Sequence, residues 1–211
     1  MKIDHVQVYN IPNALYGMRN PLESWSKSDS AYINGAFFIG EKDKELAQKL
    51  IKAGAEHRKF LRQIFDSMNI TAPLYWWKEM DTYSTGVTKN STSTMHTITL
   101  SPLNINMFET DDMQPFEVKN LYAIIDKCNE YRQVYLDYKT DRPKIAKQYW
   151  KALIRILPNS WLQTRTTTMN YEVLRNIIHQ RKNHKLTEWN WFIEQLVNLP
   201  YAEEFLFYGN T

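Results

Sequence analysis

Several residues on which common chemistries depend are scarce in this sequence. Of 211 residues only Cys128 is a cysteine, which excludes an intramolecular disulfide and a multi-cysteine metal site. Six glycines form neither a P-loop nor a Gly-x-Gly-x-x-Gly turn, and no Gly-x-Ser-x-Gly elbow marks a serine hydrolase. No apolar run approaches the ~20 residues that span a bilayer, and the opening Met1-Lys-Ile-Asp-His-Val6 has no apolar signal core. A cytoplasmic protein without a membrane partner is the expectation. A formal charge of +3 with acids interspersed among the bases argues against a continuous groove for nucleic acid. His179 and His184 have no acid or cysteine beside them at ligand spacing, so no metal is expected.

What is present is globular. Hydrophobic residues make up 43%, charged residues 23% and aromatic rings 14%, and the length suits one domain over residues 1–211 with a substantial core. The stretch from Pro73 to His96 stands out: Tyr75, Trp76 and Trp77, then Lys78, Glu79 and Asp81, then a run dominated by Ser and Thr. Its hydroxyls, with Asn90 and His96, offer donors and acceptors at short range, and rings beside a polar cluster suit a pocket for a flat polar ligand. Read blandly, the same stretch is a Trp-rich core helix followed by an ordinary polar strand.

Lys2 to Tyr9 reads as a strand that stops at Asn10-Ile-Pro12, and 13–34, with Gly17, Pro21 and many serines, reads as a long loop or lid. Ala36 to Ile39 is a short apolar run ended by Gly40. A helix from Glu41 places Leu46, Leu50, Ile51 and Ala53 on one face, with Glu41 and Asp43 at its positive end. Gly54 breaks it, a second helix starts near His57, and Met68 to Pro73 is a strand. Leu74 to Met80 is helical and 85–100 extended. The clearest helix is 116–139, whose apolar face includes Leu121, Ile125 and Cys128, so Cys128 reads as core. Helices follow at 145–157, at 170–180 and, with Thr187 as N-cap, at 188–199. A short helix and a frayed tail close the chain. The sum is one domain of mixed helix and sheet.

The order of these pieces resembles the flavin-dependent thymidylate synthases. In that family a helix leads to a His-x-Ser-x-x-Glu-His-like segment, a strand, Ala-Pro, and the signature Arg-His-Arg-x-x-Ser-x-Asn-Glu-x-Ser-x-Arg. Here the helix from Glu41 leads to His57-Arg-Lys-Phe-Leu-Arg-Gln63, then to Ala72-Pro73 and the Trp-rich stretch. Farther on, Leu157-Pro158, the Thr-rich patch at 164–168, and Asn170, Asn176 and Arg181 match the family's C-terminal pattern without gaps. The resemblance covers 41–199 and is strongest to small bacteriophage relatives that share Tyr-Trp-Trp-Lys-Glu. The signature itself is degenerate: Tyr83-Ser84-Thr85 stands for Arg-His-Arg, Ser91 for Glu and Met95 for the final Arg.

The resemblance implies an α+β fold with a mixed sheet and packed helices, a homotetramer, a nucleotide such as deoxyuridylate bound by Arg181, Arg165, Ser93, Lys78 and Glu79, and FAD held by His57, Asn90, Asn170 and Asn176. Asn90 and Ser93 match with one residue inserted before them, and Arg165 lies one position from a family arginine. Neutral hydroxyls do not replace bidentate cationic contacts, so the leading expectation is a phage-type relative that binds a nucleotide, located in the host cytoplasm. One alternative is an active enzyme that forms thymidylate from deoxyuridylate with FAD, NADPH and methylenetetrahydrofolate. The other is a non-catalytic module on the same fold that contacts a host protein.

Overall fold

Alternation of buried and exposed side chains builds the central strand. Along β4 (Phe65–Pro73), Asp66, Met68, Ile70 and Ala72 are buried while Phe65, Ser67, Asn69 and Thr71 are more exposed, the period-two pattern of a sheet with one face on the core. In a computed structural model that describes residues 1–209, β4 belongs to a four-stranded sheet with β1 (Lys2–Tyr9), β5 (Thr88–Ser91) and β6 (Leu162–Asn170), in the order β1-β4-β6-β5. Eight α-helices accompany it among the described residues. The fold is α+β with a mixed sheet, as the family resemblance implies. No described helix is long and apolar enough to cross a membrane.

The backbone contacts divide the chain into two compact units. One comprises Met1–Lys2, Ile70–Thr82 and Asn90–Arg165. Within it α3 (Leu74–Met80) buries Trp76, Trp77 and Met80 completely. Proline at the first helical position starts both α5 (Pro115–Tyr138) and α6 (Pro143–Ile156), where its missing N–H costs nothing. Leu121, Ile125 and Cys128 of α5 join Leu153 of α6, Phe108 and Trp161 in one apolar cluster. Cys128 is fully buried there, and burial pushes its thiol up to about 11, so it serves as a small core residue.

The other unit comprises Ile3–Asn69, Tyr83–Lys89 and Thr166–Thr211. It holds α1 (Ile11–Met18), α2 (Glu41–Ala53), α7 (Tyr171–Arg181), α8 (Thr187–Leu196) and a turn of π-helix at Glu203–Phe207. Tyr171, Leu174, Ile177, Trp189, Phe192 and Phe205 are all fully buried in it.

Four local expectations need correction. The stretch 13–34 is not an irregular loop: Ile11 and Pro12 lead into α1, whose Ala14 and Leu15 are buried, so amphipathic spacing overrides the Gly and Pro signals. Its later part is tied down by Asp43, which accepts hydrogen bonds from Arg19 Nε at 2.5 Å, Ser28 Oγ at 2.6 Å and Ser30 Oγ at 2.5 Å. Burial opposes ionisation of Asp43, but those hydrogen bonds hold its carboxyl below the usual range. Asn34 and Gly35, both at positive φ, close a hairpin between β2 (Ala31–Ile33) and β3 (Ala36–Phe38). The second helix near His57 is only a 3₁₀ turn, Lys59–Gln63. The extended run 85–100 contains β5 and then α4 (Thr94–Thr97). Leu186, not Thr187, is the N-cap of α8. In the expected frayed tail, residues 210 and 211 lie outside those described.

Candidate functional site

Arg181 is the last residue of α7, where the following basic turn doubles back toward α8. Its Nε donates to the Tyr83 hydroxyl at 3.0 Å, and that hydroxyl donates to Gln180 Oε1 at 2.9 Å. The guanidinium carbon lies 4.7 Å from the centre of the buried Trp189 ring and 5.5 Å from that of Tyr83, so cation–π contact and hydrogen bonding fix one orientation. Arg181 Nη1 is 3.1 Å from His184 Nε2. The Leu186 N–H donates to the other ring nitrogen, Nδ1, at 3.1 Å. Tyr83, Trp189 and His184 together hold the guanidinium in one place at the end of α7.

The second arginine is engaged differently. Arg165 on β6 donates through Nη1 to Asp81 Oδ1 at 2.8 Å and through Nε to Gln163 Oε1 at 2.9 Å, with its guanidinium carbon 4.3 Å from the Trp77 ring centre. Gln163 is itself held, its Nε2 donating to the Thr92 carbonyl at 2.9 Å and its carbonyl accepting from Trp77 Nε1 at 2.9 Å. Lys78 is exposed and donates to Asn159 Oδ1 at 2.9 Å. The Glu79 side chain is half-buried, and its carbonyl accepts from the Thr82 hydroxyl at 2.7 Å. Ser93 stands at the N-cap of α4 without a side-chain cap bond.

The aromatic and hydroxyl-rich stretch does not make a flat stacking platform. Trp76 and Trp77 are fully buried and meet edge to face, 4.9 Å between centres, so α3 is a core helix. Several hydroxyls close on nearby backbone: Thr92 on the Thr164 carbonyl and Thr97 on the Ser93 carbonyl. The second Thr patch pairs across strands, Thr164 with Thr71 at 2.7 Å, Thr166 with Asn69 at 2.6 Å and Thr168 with Ser67 at 3.1 Å.

The residues expected at the flavin are dispersed. Asn170 caps α7, its Oδ1 accepting from the Val173 N–H at 3.0 Å. Its amide nitrogen approaches Gly86, where a Cβ would lie 3.2 Å away on a backbone already at φ +73°. Asn176 is exposed on α7 and lines a pocket of about 480 Å³ together with Arg58, Arg175 and His179. His57 is exposed and lines a different pocket, of about 370 Å³, with Leu46, Leu50 and Phe60. Asn90 is exposed on β5.

Two charged features had no sequence signal. Arg58 grips Glu172 with Nε at 2.9 Å and Nη2 at 2.9 Å, a pair separated by 114 residues. Asp66 is fully buried and neither carboxylate oxygen has a hydrogen-bond partner. Burial pushes its carboxyl up to about 8.

This arrangement of elements is the fold of the flavin-dependent thymidylate synthases. Two solved structures of the Helicobacter pylori enzyme match nearly end to end, both at 17% identity and both complexed with FAD and dUMP. One covers 98% of this chain and 98% of its own with a TM-score of 0.72. The other covers 100% and 99% with a TM-score of 0.73. No family model and no curated protein sequence matches the chain.

Proposed function

We propose that this protein is a phage-type relative of the flavin-dependent thymidylate synthases that binds a nucleotide through Arg181 and has lost most of the catalytic signature. The observation that carries the reading is the fixed orientation of the Arg181 guanidinium, its Nε donating to the Tyr83 hydroxyl at 3.0 Å and its carbon 4.7 Å from the Trp189 ring centre. A guanidinium held beside rings suits the oxyanion of a nucleotide such as dUMP. The solved proteins of this fold described above hold dUMP and FAD, which supports the ligand class.

The pairing of Arg165 with Asp81 favours degenerate chemistry over an intact synthase. A guanidinium already neutralised by a carboxylate has less to offer a substrate anion, and Lys78 is likewise engaged with Asn159. Ser93 retains a hydroxyl outside the cap, and Glu79 is only half-buried.

For FAD, the donors present fit in part. Asn176 and His57 are exposed on pocket walls, whereas the Asn170 oxygen is committed to its helix cap. A bound flavin would supply hydride transfer, with NADPH and methylenetetrahydrofolate needed only if the full synthase reaction survives. The reading extends to a homotetramer in the cytoplasm of a phage host, following the family resemblance. Adding excess FAD, desalting and recording the visible spectrum tests cofactor retention. A retained flavin spectrum is expected if Asn176 and His57 hold it; a colourless protein overturns the FAD part and leaves the nucleotide part to the titration below.

A further inference from the structure

The bases that stand among acids in the sequence are sorted by the fold onto one face of α6. Between positions 139 and 155 lie six bases, Lys139, Arg142, Lys144, Lys147, Lys151 and Arg155, and one acid, Asp141. That segment alone carries +5, more than the +3 of the whole chain. Within α6 there is no acid, and Lys144, Lys147, Lys151 and Arg155 are all exposed. At about 100° per residue the four fall within an arc of about 80°, in a row ~16 Å long. None of them pairs with a carboxylate among the described residues.

The opposite face of α6 is already packed. Ala146 and Leu153 are buried, and Tyr149 meets Tyr131 of α5 edge to face, 5.7 Å between ring centres. A helix that lies in a membrane surface buries its apolar face there, and α6 has no such face to offer. The row borders a pocket of about 450 Å³ lined by Tyr135 and Lys139 of α5, Lys147 and Trp150 of α6, and His96 of α4. Trp150 is half-buried on that wall. Arg142, at the N-cap of α6, holds its guanidinium carbon 5.4 Å from the Tyr138 ring centre.

We infer that the basic row of α6 binds single-stranded nucleic acid, with a base held in the pocket beside Trp150. Ammonium groups on flexible stems, set one turn apart, suit a polymer of repeating phosphates more than a shaped protein surface. The rings supply the other half of the site, since bases stack on aromatic faces whatever their sequence. A duplex keeps its bases inside the stack and would leave Trp150 and Tyr135 without a partner. The surface is independent of the nucleotide reading, because none of its residues belongs to the Arg181 site.

Fluorescence anisotropy of the full chain with a labelled oligothymidylate of about 20 nucleotides, over a range of salt, tests it. Saturable binding is expected, with log affinity falling against log salt at a slope of about −3 to −4. The variant Lys147→Gln/Lys151→Gln/Arg155→Gln changes exposed positions only. It is expected to weaken binding at least about tenfold, to flatten the slope by about 2, and to leave dUMP titration unchanged. The same charge removed elsewhere, in Lys42→Gln/Lys49→Gln/Lys119→Gln, is expected to change affinity less than about threefold. Trp150→Leu is expected to weaken binding about 5- to 150-fold through lost stacking while keeping the slope. Trp150 also packs, so the exposed triple variant carries the test should Trp150→Leu unfold. Absent or non-saturable binding, equal losses in the two triple variants, unchanged affinity in a folded Trp150→Leu, or a duplex bound as tightly as the single strand would each overturn the inference. Phosphatidylserine vesicles that bind where the oligonucleotide does not would assign the surface to membranes and overturn it as well.

Discussion

Arg181 and Tyr83 fix one another: the arginine Nε donates to the Tyr83 hydroxyl at 3.0 Å, and its guanidinium carbon lies 5.5 Å from the Tyr83 ring centre. This geometry is inherited from the order of elements, since α7 ends at Arg181, the turn returns the chain, and α8 brings Trp189 beneath the guanidinium.

Tyr83 positions this arginine without itself being a charge partner. Tyr83→Phe removes the acceptor of Arg181 Nε and the donor to Gln180 Oε1. The expected result is a stability loss of about 0.5–1.5 kcal/mol and dUMP affinity reduced severalfold. Chemical denaturation and calorimetry measure the two, and unchanged affinity would remove Tyr83 from the account.

Asp81→Asn releases Arg165 from its ion pair. The Asp81 side chain is about half exposed, 49%, so the stability cost is at most about 1 kcal/mol after solvent screening. Urea unfolding of wild type and variant measures it, and a loss well above that size would show that the pair is shielded from solvent.

Asp43→Ala strands Arg19, which is 5% exposed, and removes the acceptor for Ser28 and Ser30. Breaking a buried pair from one side costs about 3–5 kcal/mol. Urea unfolding is expected to show a loss of that size, and a loss below about 1 kcal/mol would mean that the stretch following α1 is not anchored there.

Asp66 makes stability fall with rising pH. Its folded pKa is raised to about 8 from an ordinary 3.8 by burial. Between those values the folded chain holds a proton that the unfolded chain has released, so stability is highest below about pH 4, declines toward about pH 8 and then levels. The slope is at most about 1.4 kcal/mol per pH unit. Denaturation of wild type and Asp66→Asn at several pH values isolates this contribution. The stability difference between the two is expected to shift in favour of Asn as pH rises, and a constant difference would contradict the raised pKa.

Much of the fold is legible because apolar spacing marks the buried helix faces. α2, α5 and α7 lie where three-to-four spacing places them, β1 lies where its β-branched content and the Asn10-Ile-Pro12 stop place it, α6 falls between its flanking prolines, and Cys128 lies in the core with Leu121 and Ile125. The errors have identifiable causes. Gly17, Pro21 and the serines of 13–34 suggest irregular structure, yet Pro12 sits at the tolerant start of α1. Asn34-Gly35, a strong hairpin signal, lies within a stretch otherwise read by composition. The Ser/Thr run after Met80 looks uniform, but the Thr97 hydroxyl bonds the Ser93 carbonyl within α4 while the Thr92 hydroxyl bonds the distant Thr164 carbonyl on β6, so one composition serves both a helix and a strand end.

The candidate site is less legible than the fold. Spacing along α7 identifies Asn170, Asn176 and Arg181, but not that Asn170 is a cap while Asn176 faces a pocket. The partners that decide each role come from distant sequence: Tyr83 for Arg181, Asp81 for Arg165, Arg58 for Glu172. A single sequence carries no signal for such pairings, and a buried Arg175 or Asp66 is invisible until the surrounding elements are in place.

Calorimetric titration of dUMP into wild type and Arg181→Met tests the central claim most directly. Saturable binding by wild type is expected, weakened about 10- to 150-fold in the variant by loss of a charged hydrogen bond of about 1.5–3 kcal/mol. A wild type that does not bind dUMP, or a variant that binds it equally well while remaining folded, would contradict the account.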